Sequence, residues 1–181
     1  MNKNWLGIYK VPLFLSLTVA IALIAVQVLR SPFTIGFVFV GSLLGTFILD
    51  LDYFIYAYVI EPQAEFSKTI TAYIKHRDFS NALQYIQYHK NDMGERTLHS
   101  VVFQLAMVGI TLFGVSVAPN YFVKALILST FANSIYRLTE LYFAGDYDSW
   151  FWALKNKPAR NHVMIYILAL TAILFYSFTL A

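Results

Sequence analysis

Apolar residues fill five stretches of the chain, residues 11–29, 33–53, 98–118, 121–141 and 162–181, and charged residues collect between these stretches or at their ends. Each stretch approaches the ~20 residues that a helix needs to cross the hydrocarbon of a bilayer. The pattern predicts an all-α integral membrane protein with about five transmembrane helices. One sizeable polar segment interrupts it, residues 61–96, between the second and third spans. Inside that segment Phe66, Ile70, Tyr73 and Ile74, and then Phe79, Ala82, Leu83 and Ile86, repeat at the three- and four-residue spacing of a helix with one apolar face. Two short amphipathic helices are expected there, lying at the headgroup layer or packed as a cap on the bundle. No repeat or linker divides the chain, so residues 1–181 form one membrane domain with 61–96 as an insertion.

Composition agrees with the pattern. Of 181 residues, 59% are hydrophobic and 13% charged, against roughly a quarter charged in soluble domains. A net charge of +3 is too small to suggest nucleic acid as a partner. With no cysteine, disulfides, thiolate ligands and thiol nucleophiles are excluded, and any metal site must be built from His, Asp and Glu. The first span follows Lys3 and Lys10 and stays apolar to Leu29, too long for a cleaved leader, so it is expected to be a retained anchor.

The basic residues orient the spans. With the N-terminus in the cytoplasm, ten Lys and Arg fall on the inner side (Lys3, Lys10, Lys68, Lys75, Arg77, Lys90, Arg96, Lys155, Lys157 and Arg160), against Arg30 and Lys124 outside. Such a bias marks the cytoplasmic face. The expected location is therefore the inner, cytoplasmic membrane, with multiple crossings and the lipid bilayer as the main partner. The sequence sets no oligomeric state.

This orientation gives meaning to Asp50 and Asp52, which sit in the apolar run "GTFILDLDYFIYAYVI". Carboxylates in hydrocarbon are costly and usually functional. Here they fall at the inner end of the second span. His99 and Ser100 open the third span from the same side, Arg137 and Glu140 close the fourth, and His162 opens the fifth. Side chains that snorkel to water explain His162 adequately, but they explain the two short aspartates poorly. Residues two apart on a helix point nearly opposite ways. Hence either the helix unwinds near Asp50, or only one of the pair is a ligand. Gly41 and Gly45 form a GxxxG that permits another helix to approach closely. Thr130, Asn133, Arg137 and Glu140 make one polar stripe on the fourth span, expected to look into the bundle or, at its end, to neutralise itself as an Arg137–Glu140 pair.

These residues, in this order, resemble the YdjM-like inner-membrane metal-dependent hydrolases, a family related by sequence to zinc-dependent phospholipases C. "GTFILDLDY" is similar to a span ending in Pro-Asp-x-Asp-His, with Asp50 and Asp52 matching, Leu49 in place of Pro and Tyr53 in place of His. "GERTLHS" is similar to a basic turn leading into Thr-His-Ser and keeps His99 and Ser100, with Arg96 nearby. "YRLTELYFAGDYDSWFW" offers Tyr136 for a histidine and Glu140 for an aspartate, followed by Gly145 and the aromatic segment Trp150 to Trp152. The resemblance covers residues 41 to 152. It implies a metal set of Asp50, Asp52, His99 and Glu140, with Asp52 and His99 catalytic. That set is oxygen-rich with one nitrogen, which suits Mg²⁺ or Mn²⁺ better than tetrahedral Zn²⁺.

Three functions are compatible with the chain. In the first, a membrane-bound metal-dependent hydrolase of phosphoesterase type works at the cytoplasmic leaflet. The ion activates water, and Arg96 and Arg137 bind the anionic headgroup of a phospholipid or lipid-linked phosphate. In the second, a catalytically inactive structural or interaction protein keeps Arg–carboxylate pairs in place of the metal. The third, a transporter or ion-conducting subunit, needs polar groups through the full depth, whereas the outer half of every span is apolar. Whether the chain is an enzyme stays open on the sequence alone.

Overall fold

The computed structural model of the protein describes residues 5–89 and 97–181. Among the described residues the chain is all-helical, with no strand. Its helices are α1 (Trp5–Val26), α2 (Pro32–Ile48), α3 (Leu51–Ile55), α4 (Glu65–Lys75), α5 (Phe79–His89), α6 (Val101–Val117), α7 (Tyr121–Ala144) and α8 (Arg160–Leu180). A π-helical turn, Tyr56–Ile60, extends α3, and a 3₁₀ turn, Tyr147–Phe151, follows α7.

Two helices are long and apolar enough to cross a membrane, α1 over Tyr9–Val26 and α8, or three if α2 and the Leu51–Ile60 segment form one span bent by 44°. The other two expected spans differ for identifiable reasons. Helix α6 is apolar but only 17 residues long, because Ser100, and not Leu98, caps it: the Ser100 hydroxyl accepts from Phe103 N–H at 3.2 Å. Helix α7 has the length, 24 residues, but its polar stripe lowers its hydropathy. It begins at Asn120, whose side chain accepts from Phe122 N–H at 2.8 Å. It ends at Gly145, which takes the left-handed φ of 81° of a helix C-cap.

Helix α7 is the centre of the bundle and packs against α1, α2, α6 and α8. Its tightest neighbour is α2, and the glycines explain why. A Cβ on Gly41 would collide with the Phe122 carbonyl, and one on Gly45 would lie 2.8 Å from both the Leu126 carbonyl and the Ser129 Cβ. The GxxxG therefore brings α2 onto the backbone of α7. The apolar layer is completed by Leu23, Val38, Leu128, Phe131, Leu138 and Leu170.

Polarity is distributed opposite to that of a water-soluble bundle. Phe14, Phe33, Phe113 and Phe175 are 70%, 84%, 72% and 67% exposed. Ser16, Thr46, Ser129 and Asn133 are buried and bonded to one another between α1, α2 and α7. Large apolar surface of this extent is a mark of contact with something other than water, and the apolar helices are compatible with a membrane protein.

The insertion forms a separate small core. Helices α4 and α5 turn back on each other at Arg77, whose φ is 57°, and Asp78 caps α5 by accepting from Asn81 N–H at 3.2 Å. Their apolar faces close over the π-helical turn, so that Phe66, Ile70 and Ile86 pack with Tyr53, Tyr56 and Ala57. Of the residues in the two amphipathic patterns, Phe79 stays 59% exposed.

Candidate functional site

The polar residues at one end of the bundle are organised by a break in the second apolar stretch. After Ile48 the backbone bonds tighten from four residues to three: Asp50 N–H donates to Phe47, Asp52 N–H to Leu49 and Tyr53 N–H to Asp50, at 3.1, 3.2 and 3.2 Å. This turn is the unwinding that the spacing of the aspartates left open. It sends the two carboxylates to different partners.

Asp52 is 1% exposed and faces the segment that leads into α6. Its Oδ1 accepts from Thr97 N–H at 3.0 Å. Its Oδ2 accepts from Leu98 N–H at 2.9 Å and from His99 N–H and His99 Nδ1–H, both at 3.0 Å. Three consecutive backbone amides and one imidazole thus converge on this carboxylate, three on Oδ2 and one on Oδ1, which keeps a lone-pair site of its own. Because a carboxylate only accepts, the His99 proton sits on Nδ1. The His99 ring, 3% exposed, lies 5.8 Å from the Tyr53 ring and meets Trp150 edge-on at 6.0 Å. Trp150, fully buried on the 3₁₀ turn after α7, donates from Nε1 to Gln104 Oε1 on α6 at 3.0 Å. Asp52, His99, Trp150 and Gln104 thus tie α3, the start of α6 and the end of α7 together in one buried chain of contacts.

Asp50 takes the other direction. It hydrogen-bonds the hydroxyl of Tyr9 on α1 and interacts electrostatically with Arg137 on α7. Arg137, its side chain 13% exposed, donates from Nη1 to Glu140 Oε2 at 2.9 Å, while Glu140 is 43% exposed. The lower part of the α7 stripe therefore does close on itself, as an i, i+3 pair. Its upper part looks into the bundle: Asn133 Nδ2 donates to Ser16 Oγ on α1 at 2.9 Å, and Thr130 Oγ1 lies 3.4 Å from the Gly45 carbonyl on α2.

The four residues implied as metal ligands do not form one set. Asp52 and His99 are joined, Asp50 belongs to the Tyr9–Arg137 side, and Glu140 is held by Arg137. Among the described residues no three His, Asp or Glu side chains come together. The Asp52 Oδ2 on which His99 converges accepts from three N–H groups in this arrangement. Of the expected substrate-binding arginines, Arg137 faces its own acidic neighbours and Arg96 lies outside the described residues. His162 is exposed at the start of α8. Tyr53 and Tyr136, the residues at histidine positions of the resembled family, part company: Tyr53 is buried against His99, whereas Tyr136 is partly exposed.

Sequence reasoning missed Tyr9, an aromatic residue near a span end that an interfacial belt explains equally well, and it names Trp150 only within the aromatic segment of the resembled motif, without its contact with His99. Gln104 is a polar residue one turn after Ser100 in a mostly apolar helix. Comparison with known protein families, with curated proteins and with solved structures finds no match to this chain.

Proposed function

We propose that this protein is a multi-pass protein of the inner membrane. It crosses the bilayer with about five helices, N-terminus in the cytoplasm, and carries a non-catalytic clasp where the resembled hydrolases carry a metal. The observation that supports this reading is the Asp52 carboxylate, buried and accepting four hydrogen bonds from residues 97–99. A hydrolytic carboxylate must keep an oxygen for the ion or the attacking water. This one commits Oδ2 to three N–H groups and Oδ1 to a fourth, all from residues 97–99. Its work is to anchor the entry of α6 to the broken end of α2 and α3, and Trp150 locks the other side of His99. The Asp50–Tyr9 contact performs the same fixing role on the α1 side. The partner is then the bilayer, with anionic headgroups met by the basic cytoplasmic loops.

A metal-dependent hydrolase acting on a phospholipid or lipid-linked phosphate at the cytoplasmic leaflet is the second reading. The Asp52–His99 contact favours it, because a carboxylate on Nδ1 is the usual way to orient a ligating or basic imidazole. Metal content of the purified wild type, Asp52→Asn and His99→Ala separates the two. The clasp predicts no stoichiometric divalent metal in any of them and a loss of about 3 kcal/mol in stability for His99→Ala, since it removes one donor to a buried carboxylate and leaves a cavity beside Tyr53 and Trp150. Stoichiometric metal in the wild type that disappears in both variants overturns the clasp and restores the hydrolase.

A further inference from the structure

A second polar feature lies in the cap, away from the clasp and independent of how the clasp is read. Between the end of the π-helical turn and the two cap helices is a cavity of about 390 Å³ lined by Tyr56, Glu61, Glu65, Phe66, Tyr85 and His89. Its aromatic wall is continuous: Tyr56 meets Phe66 edge-on at 6.0 Å, Phe66 meets Tyr85 at 5.6 Å, and Tyr85 stacks on His89 at 4.1 Å. Its rim is acidic. The Tyr56 hydroxyl donates to Glu61 Oε2 at 2.8 Å, which orients that carboxylate and leaves its other oxygen available. Glu65 stands one turn further on, at the start of α4.

The helix dipole accounts for Glu65, which lies in the first turn, but not for Glu61, which precedes the helix. Among the described residues neither carboxylate has a cationic side chain within 4.0 Å, although Lys68, Lys75 and Arg77 all lie on the same hairpin. Two carboxylates without a cationic partner among the described residues, over an aromatic wall in a concave site, form the combination that recognises an organic ammonium: the charge is met by the carboxylates, and its alkyl substituents and partial charge by ring surfaces.

We infer that the cap pocket of Glu61, Glu65, Tyr56, Phe66 and Tyr85 binds an ammonium group, carried by a lipid headgroup or by a small soluble amine. The test titrates tetramethylammonium and ethanolamine into the full chain in maltoside micelles at constant ionic strength. The titration is repeated in phosphatidylglycerol nanodiscs with and without phosphatidylethanolamine. The expected result is saturable binding that weakens at least tenfold in Glu61→Gln/Glu65→Gln, whose side chains are exposed and carry no core packing, and also in Tyr85→Leu. Loss of soluble-amine binding only when phosphatidylethanolamine is present assigns the site to the headgroup, and unchanged binding assigns it to the solute. Absence of saturable binding in both media, or equal affinity in wild type and the Glu double variant, overturns the inference.

Discussion

Where α1, α2 and α7 meet, the buried surface includes Ser16, Thr46, Ser129 and Asn133. Where α4 and α5 meet the π-helical turn, it is Tyr56, Phe66, Ile70 and Ile86. The bundle hides hydroxyls and shows phenylalanines, while the cap hides rings and aliphatics and shows Lys68, Lys75, His76 and Arg77. On the proposed membrane reading, one chain therefore follows two opposite rules of assembly. In water the cap gains by removing apolar area from solvent, roughly 25 cal/mol per Å². A bundle surrounded by hydrocarbon gains nothing that way and must rely on close van der Waals approach and interhelical hydrogen bonds. Gly41 and Gly45 supply the first and the Ser16 cluster the second.

Substitutions that work on only one rule break the comparison most sharply, and the largest effect is expected at Gly45. Valine there places its Cβ into the Leu126 carbonyl and Ser129. Neither can retreat without moving α7, the helix on which every other bundle helix rests. Overpacking of this kind costs about 3 kcal/mol or more, read as loss of folded protein in detergent and a fall of the melting temperature. Gly36 is on the same helix with nothing within 4 Å of a built Cβ, so Gly36→Val is expected to leave the melting temperature nearly unchanged. Equal damage from the two would mean that α2 and α7 are not in close contact.

In the cap the corresponding change is a truncation. Ile70 is fully buried in the small core, and Ile70→Ala is expected to cost about 2 kcal/mol, the low end for such a deletion because a two-helix cap can partly collapse around the gap. The effect should stay local. Hydrogen exchange should accelerate in α4 and α5 while α7 keeps its protection, as expected when a molecule is divided into separately opening units. Acceleration across all helices would show that cap and bundle open together.

Much of this division is legible in the sequence, since each rule leaves its own period. The apolar stretch 162–181 is observed as the helix Arg160–Leu180, and the stretch 121–141 as the helix Tyr121–Ala144. The two amphipathic runs predict α4 and α5, with Ile70 and Ile86 on their inner faces. What the pattern leaves open is the break after Ile48. Leu49 and Asp50 include no glycine or proline, and apolar residues continue to Ile60, so only the two-residue spacing of Asp50 and Asp52 points to an unwinding there. The partners of Asp52 are hidden for a different reason. Three of its four donors are backbone N–H groups of residues 97–99, which every residue type but proline possesses. Side-chain letters alone make Asp52, His99 and Glu140 look like one ligand set, and only geometry separates Glu140, which Arg137 holds three residues away on its own helix.

The smallest effect tests the rule of the bundle from the hydrogen-bond side. Ser16 bonds Thr46 at 2.6 Å and Ser129 at 2.8 Å and accepts from Asn133 at 2.9 Å, joining three helices through one hydroxyl. In water, deleting such a buried hub and leaving its partners unsatisfied would cost about 1–3 kcal/mol. In a bilayer the unfolded helices also find partners for their hydroxyls, and measured interhelical bonds average about 0.6 kcal/mol. Ser16→Ala is therefore expected to cost about 1 kcal/mol, less than Ile70→Ala despite the larger number of bonds lost, in an SDS-unfolding titration of the reconstituted protein. A loss exceeding that of Ile70→Ala would reverse the order. It would mean that the Ser16 cluster, and not the close approach at Gly41 and Gly45, is the main tie between α1, α2 and α7.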